Sequence, residues 1–205
     1  MAARLRGTGS SRGRISGSLP PRWRTLLLQH PLRSFVGFGT VSAPTGKWAN
    51  RSMSRRLLSI VLETILRTRQ RAILLTSGAA VQDEVRLPDN VFAVDSVPLD
   101  WLSPRVTAAI RHGGLGTTAA TLLAGIPSVT VPFRNDQPFW ATRVYQLGAG
   151  PRPPRPRGLT TDRLVDLFTP LLPIPRSENA PRGLGRKLAE EDGVRRTVEI
   201  FRRYF

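Results

Sequence analysis

Apolar and polar residues are arranged differently on the two sides of residue 34. Residues 1–33 (MAARLRGTGSSRGRISGSLPPRWRTLLLQHPLR) mix Arg, Ser and Gly, contain a Pro-Pro break and hold no sustained apolar period. Such a segment is expected to be a disordered basic leader. From Ser34 onward, short apolar runs alternate with helical patterns. Residues 34–39 (SFVGFG) read as a buried strand ending in glycines, and residues 52–69 place Leu58, Val61, Leu62, Ile65 and Leu66 on one helical face. Further strands are expected at 72–76 (AILLT), 91–94 (VFAV) and 106–110 (VTAAI).

After a glycine-rich loop, residues 117–124 (TTAATLLA) read as a helix closed by Gly125, and residues 126–131 (IPSVTV) as the next strand. Strand, loop, helix and strand in close succession make a βαβ unit, which requires parallel strands. The expected class is therefore α/β, a Rossmann-like doubly wound parallel sheet occupying residues 34–205. Helices are also expected at 137–147, ended by Gly148, behind Thr160 up to Phe168, and at 188–203 with a weak point at Gly193. Residues 151–156 (PRPPRP) must be extended. No internal repeat is visible.

Composition narrows the chemistry. The chain of 205 residues has no cysteine and two histidines, which removes disulfides, thiolate metal sites and cysteine nucleophiles. A metal site is not expected. No run is long and apolar enough for a transmembrane segment, and no apolar core of secretory length is present, so a cytoplasmic location is expected. The formal net charge is +17, but the first 62 residues carry 11 basic residues and no acid, leaving +6 for the rest. The leader is open to three readings: a meaningless or truncated leader, a targeting segment or a nucleic-acid arm. Aromatic residues are too scattered to form stacking platforms, so a nucleic-acid partner is not expected for the folded part.

The densest chemical signal is Arg111, His112, Gly113, Gly114, Leu115, Gly116, Thr117 and Thr118, between an expected strand and an expected helix. Unpaired backbone N–H groups and the helix dipole favour an anion there, and glycines let a phosphate approach the backbone. Thr117, Thr118 and His112 can add side-chain donors; alternatively, the segment is a tight turn whose histidine caps a strand. The loop matches neither the P-loop nor the dinucleotide fingerprint, which argues against an NTPase or a dehydrogenase. Beyond the next strand, Asp136 and Gln137 offer a carboxylate and an amide suited to sugar hydroxyls. Asp136 is equally suited to cap a helix that has Pro138 near its start. Both loops should open into one crevice at the carboxyl ends of the strands.

Six motifs in order carry a family resemblance: Gly37-Phe38-Gly39-Thr40; Val94 to Leu102 (VDSVPLDWL); His112 to Thr118 (HGGLGTT); Ala124-Gly125-Ile126-Pro127; Val131-Pro132-Phe133; and Asp136-Gln137-Pro138-Phe139-Trp140. Together they resemble the C-terminal half of UDP-sugar glycosyltransferases of the GT-B type, nearest to sterol glucosyltransferases and the related bacterial macrolide and glycopeptide enzymes. The resemblance runs from about Phe35 to Phe168. It implies a domain that binds a UDP-sugar, with UDP-glucose the expected donor and no cofactor, for hexosyl transfer to a sterol or lipid-like hydroxyl. It further implies that Thr40, His112, Gly113, Gly114, Gly116, Thr117 and Thr118 hold the diphosphate, that the backbone at Val97 meets the uracil, and that Asp136 and Gln137 bind the sugar. Four positions depart from the pattern: Leu99 for a usual His, Arg111 for the first of a His pair, Ser103 for a usual Phe, and a charged Arg134. The acceptor-binding half and its catalytic base have no counterpart in residues 1–33. The expectation is thus a donor domain with no catalytic residue of its own, either a piece of a longer enzyme or the partner of a separate acceptor-domain chain; the alternative is a non-catalytic nucleotide-sugar-binding or interaction fragment.

Overall fold

The computed structural model describes residues 34–37, 51–76, 87–94, 97–173 and 180–204. The expected leader, together with Phe38, Gly39, Thr40, Asp95 and Ser96, lies outside the described residues. Strands β1 (Ser34–Gly37), β2 (Ala72–Leu75), β3 (Val91–Val94), β4 (Ala108–Arg111) and β5 (Ser128–Thr130) form one parallel sheet in the order β3-β2-β1-β4-β5. The chain moves outward from β1 through β2 to β3, then returns to the other side of β1 as β4. That reversal is a topological switch point, and it leaves a crevice beyond the carboxyl ends of β1 and β4. Gly37 and Arg111 face each other in register there.

Both faces of the sheet are covered, as all-parallel sheets require. Val36, Leu74, Ala108, Ile110 and Val129 pack on one side against α1 (Arg51–Arg67) and α5 (Thr161–Phe168), through Leu57, Val61, Leu62 and Ile65 of α1 and Leu164, Leu167 and Phe168 of α5. Phe35, Ile73 and Ala109 pack on the other side with Leu102 of the short α2 (Leu99–Leu102), Val106 and Ile126. The buried stripe of α1 is Leu57, Val61 and Ile65, spaced by four, with Leu62 beside it; Leu66, expected on that face, is exposed because it lies about 140° round the helix from Val61 at the centre of the stripe.

Helix α3 (Leu115–Leu123) begins two residues before the apolar pattern suggests, directly behind Gly114. Donors in a first turn need no intrahelical partner, so Gly116 is tolerated there. Gly125 and Gly148 close α3 and α4 (Gln137–Gln146) with φ of 65° and 67°, the left-handed caps expected of them. Strand β4 is shifted to Ala108–Arg111 from the expected 106–110, because its extent is set by pairing with β1 and not by the β-branched Val106 and Thr107. Likewise β5 is confined to Ser128–Thr130, since Pro127 has no N–H for the ladder.

Thr160 caps α5 by accepting from the Arg163 N–H at 3.2 Å. The single helix expected at 188–203 is two helices, α6 (Ala180–Glu190) and α7 (Gly193–Tyr204). The break lies before Gly193, where Asp192 accepts from the Arg195 N–H at 3.0 Å and starts α7.

Helix α6 lies close along α3 because Gly185 has no side chain. A Cβ at 185 would stand 2.6 Å from the Leu122 carbonyl oxygen and 2.9 Å from that of Leu123, whereas one at Gly183 would meet nothing within 4 Å. Gly185→Ala should therefore lower stability in urea unfolding by about 1–3 kcal/mol through overpacking, while Gly183→Ala should be neutral or add up to about 1 kcal/mol.

Candidate functional site

The chain leaves β4 through Arg111, His112, Gly113 and Gly114 and enters α3 at the switch point. Gly113 has φ of +90°, and a Cβ on it would stand 2.7 Å from Thr130 Cγ2, so both conformation and space call for glycine. This turn folds His112 back across the strand ends. Its ring is 8% exposed, and its Nδ1 lies 3.4 Å from the Gly37 carbonyl oxygen. A carbonyl only accepts, so Nδ1 is the nitrogen that carries the proton. Nε2 points to Gly114, where a Cβ would come within 2.6 Å of it. The imidazole thus bridges the end of β1 to the start of α3.

The first turn of α3 presents the backbone N–H groups of Leu115, Gly116 and Thr117, which have no partner four residues back. The Thr118 N–H already donates to the Gly114 carbonyl at 3.0 Å. Above this turn the space is open: a Cβ at Gly116 would meet nothing within 4 Å. Thr117 lies at the surface of the turn with its hydroxyl donating to the Gly114 carbonyl at 3.0 Å. Thr118 faces inward and is buried, its hydroxyl accepting from Arg111 Nη1. The two threonines therefore divide, one toward the opening and one toward the sheet.

Arg111 was placed by sequence on the loop, yet it is the last residue of β4 and fully buried. Its Nε donates to Ser128 Oγ at 3.0 Å, and its Nη2 has no hydrogen-bond partner among the described residues. Burial without a carboxylate drives its pKa down to about 9. Burial also lowers the pKa of His112, and the neighbouring Arg111 charge lowers it further; the Gly37 carbonyl and the Asp136 carboxylate oppose this.

The second loop adjoins the first. A Cβ on Gly113 would also stand 3.2 Å from the Gln137 carbonyl oxygen. Gln137 is buried, and its Oε1 accepts from the N–H groups of Phe133 at 2.8 Å and Arg134 at 3.2 Å, closing the loop on itself. Asp136 is exposed and occupies the N-cap position of α4 with helical dihedrals, so its side chain makes no capping bond; it accepts instead from Trp140 Nε1 at 2.8 Å. The expected cap is thus a position only, because an extended backbone is what aims a capping side chain at the helix. The two loops therefore meet through Gly113 and Gln137, and the Asp136 charge is near enough to act on His112.

Val97 is partly buried and packs on the cluster that includes Phe35, Ile73 and Leu102. Helix α2, which follows it, packs on α3. Thr40 lies outside the described residues. Arg111, named in the sequence as part of the loop and as a departure from the family pattern, was not read as buried; the signal for that was its place at the end of a buried strand. Among the described residues, no group of three His, Asp or Glu side chains could hold a metal ion.

An open parallel sheet with an anion-receptive helix start at its switch point defines a nucleotide-binding α/β domain. The particular family is given by residues 59–192, which match the family profile described as erythromycin biosynthesis protein CIII-like, C-terminal domain. The chain belongs to that family, and its likeness is to the C-terminal part of glycosyltransferases. It is 35% identical over 171 residues to a sterol 3-beta-glucosyltransferase of Arabidopsis thaliana, covering 83% of this chain and 26% of that protein. It is 39% identical over 121 residues to a sterol 3-beta-glucosyltransferase of Cryptococcus neoformans, covering 59% of this chain and 7% of that one. The glycosyltransferase VinC, solved in complex with dTDP, superposes with a TM-score of 0.71 at 26% identity over 91% of this chain and 44% of its own. The glycosyltransferase of kitacinnamycin gives a TM-score of 0.69 at 23% identity over 96% of this chain and 46% of its own. The chain thus spans about a quarter of the Arabidopsis relative and under half of these solved proteins.

Two consequences can be measured. Because the folded pKa of His112 is below its ordinary value, protonating it opposes the fold. Its contribution leaves stability flat above about pH 6.5 and makes it fall as pH drops from there toward the lowered folded pKa. Titration by NMR should place His112 below about 6.5, and His112→Gln should flatten the stability profile in that window. Gln137→Ala, which frees two backbone donors, should cost about 1–3 kcal/mol in urea unfolding, whereas the exposed Asp136→Ala should stay within about 0.5 kcal/mol.

Proposed function

We propose that this domain binds a UDP-sugar, with UDP-glucose the expected donor, as the donor half of an enzyme transferring a hexose to the hydroxyl of a sterol or lipid-like aglycone. The observation that carries this reading is the switch-point crevice, where His112 closes one wall and the open first turn of α3 supplies backbone donors. Departure of UDP develops negative charge on the diphosphate, which fixed N–H groups and a helix N-terminus stabilise without a metal. The sugar would lie beside Asp136, whose carboxylate is exposed and can accept from hydroxyls, and the Nε2 of Gln137, whose Oε1 is already bound to the loop. The base would run along the sheet edge toward the Val97 backbone. The named activities of the Arabidopsis and Cryptococcus relatives support the acceptor class, and the VinC complex with dTDP supports a nucleoside diphosphate in this half.

The acceptor site and the base for the acceptor hydroxyl would come from a second domain or a separate chain. Val194, Val198, Ile200 and Tyr204 are exposed along α7, the kind of apolar surface that a neighbouring domain covers. The proposed compartment is the cytoplasm; no described helix is long and apolar enough to cross a membrane.

Calorimetry with UDP tests the site. His112→Ala should weaken UDP by loosening the wall that the imidazole forms beside Gly37 and the start of α3; with its one ring proton on Nδ1 facing Gly37, His112 has none on Nε2 to give a phosphate. Gly116→Ala should stabilise the fold by up to about 1 kcal/mol yet weaken UDP, since its methyl enters the space the diphosphate would use. Asp136→Ala should weaken UDP-glucose much more than UDP; equal losses would remove the sugar assignment. The chain by itself should give no transfer from UDP-glucose to sterols, because positioning of the acceptor and a base within reach of its proton are both required.

A further inference from the structure

We propose that Arg111 is a donor-binding residue of the site, a buried cation whose counter-charge is the diphosphate of the ligand. The inference rests on the reading of the crevice as a nucleoside diphosphate site and adds to it a residue that lies beneath its floor.

Charged side chains are buried only with partners, and a guanidinium has five N–H donors to satisfy. Arg111 is fully buried and spends two donors on neutral hydroxyls, those of Ser128 and Thr118; among the described residues its Nη2 has none to meet. Neither of its partners is an acid, and desolvation alone accounts for the pull on its pKa to about 9, with no described carboxylate acting against it. The position is as informative as the isolation. Thr118 is three residues into α3, so the guanidinium that donates to it lies within about one turn, roughly 5 Å along the axis, of the unpaired N–H groups at the helix start. The positive end of the helix dipole and a full positive charge therefore converge on one point. In the free protein these repel, and among the described residues neither meets an anion. A diphosphate seated on the first turn answers both, and does so where the surrounding protein screens weakly.

The alternative role, a strut that only ties β4 to β5 and α3, predicts different behaviour. Wild type, Arg111→Met and Arg111→Lys are titrated with UDP, pyrophosphate and uridine, with binding followed by NMR so that millimolar constants are measurable and thermal unfolding recorded alongside. The Met variant keeps the length of the side chain and loses the charge: UDP and pyrophosphate should weaken by about tenfold or more while uridine changes less than about twofold. The Lys variant restores a cation only where its amine stays protonated, and burial lowers an amine readily, so it should hold UDP within about threefold of wild type at about pH 6 and fall toward the Met variant as pH rises. Parallel loss of uridine, or unchanged UDP binding, overturns the proposal and leaves the donor-site reading standing. Failure of wild type to bind UDP at all removes both. Should the Met variant not fold, the wild type decides: its Arg111 Nε–Hε resonance must move on adding UDP or pyrophosphate and stay in place with uridine, and a resonance indifferent to all three overturns the assignment.

Discussion

The pairing of β1 with β4 is the constraint on which the rest depends. It sets Gly37 opposite Arg111 in register and so decides where the two chain reversals of a doubly wound sheet part from each other. Once Gly37 ends β1, its carbonyl is met by the side chain that follows β4. The positive φ of Gly113 returns His112 to that carbonyl and simultaneously starts α3 over the same spot. One register thus fixes a strand end, an imidazole and a helix N-terminus within a few residues. A slip of one residue would exchange the buried Arg111 with its neighbours on the opposite face and dismantle all three.

Electrostatically, this arrangement concentrates positive potential without neutralising it. A helix start and a buried guanidinium lie together, and the influence of opposite sign on His112 comes from the exposed Asp136, weaker on that ring than the Arg111 charge. Desolvation keeps His112 neutral, so a fixed dipole and one cation carry the field, not a titrating side chain. Such a field needs little reorganisation when a polyanion arrives, which is the property that favours a leaving diphosphate over neutral ligands.

Much of this was legible in the sequence, and the unread parts have identifiable causes. The βαβ unit, the parallel sheet and the left-handed glycines at 125 and 148 follow from local rules, because apolar runs and cap residues act over a few positions. The two loops were found for the same reason: glycines, a histidine and an acid–amide pair are dense local signals. Strand limits were displaced by one or two residues, since pairing across the sheet outweighs β-branched propensity at Val106 and Thr107. The helix Ala180–Glu190 escaped because two glycines in its first half lower its intrinsic preference, while its docking on α3 depends on one of them, Gly185. Gln137 and Thr118 illustrate what spacing cannot decide. Both have polar groups apt for ligands, and the fold uses Gln137 Oε1 and the Thr118 hydroxyl for its own loops before a ligand arrives.

The two faces of the sheet divide the work accordingly. On the α1 and α5 side the contacts are aliphatic and aromatic, from Leu57, Val61 and Ile65 to Leu164 and Phe168. Stability can be concentrated there. On the α3 side the sheet spends Arg111, Ser128 and Thr118 on a polar layer, and the layer includes an unsatisfied donor. A buried, half-satisfied polar group is a destabilising feature unless something outside the fold completes it. Gly116, in the first turn of α3, leaves that turn open to solvent above the same layer. On the reading proposed above, a diphosphate on the first turn of α3 would answer the unsatisfied guanidinium from the open side of that turn.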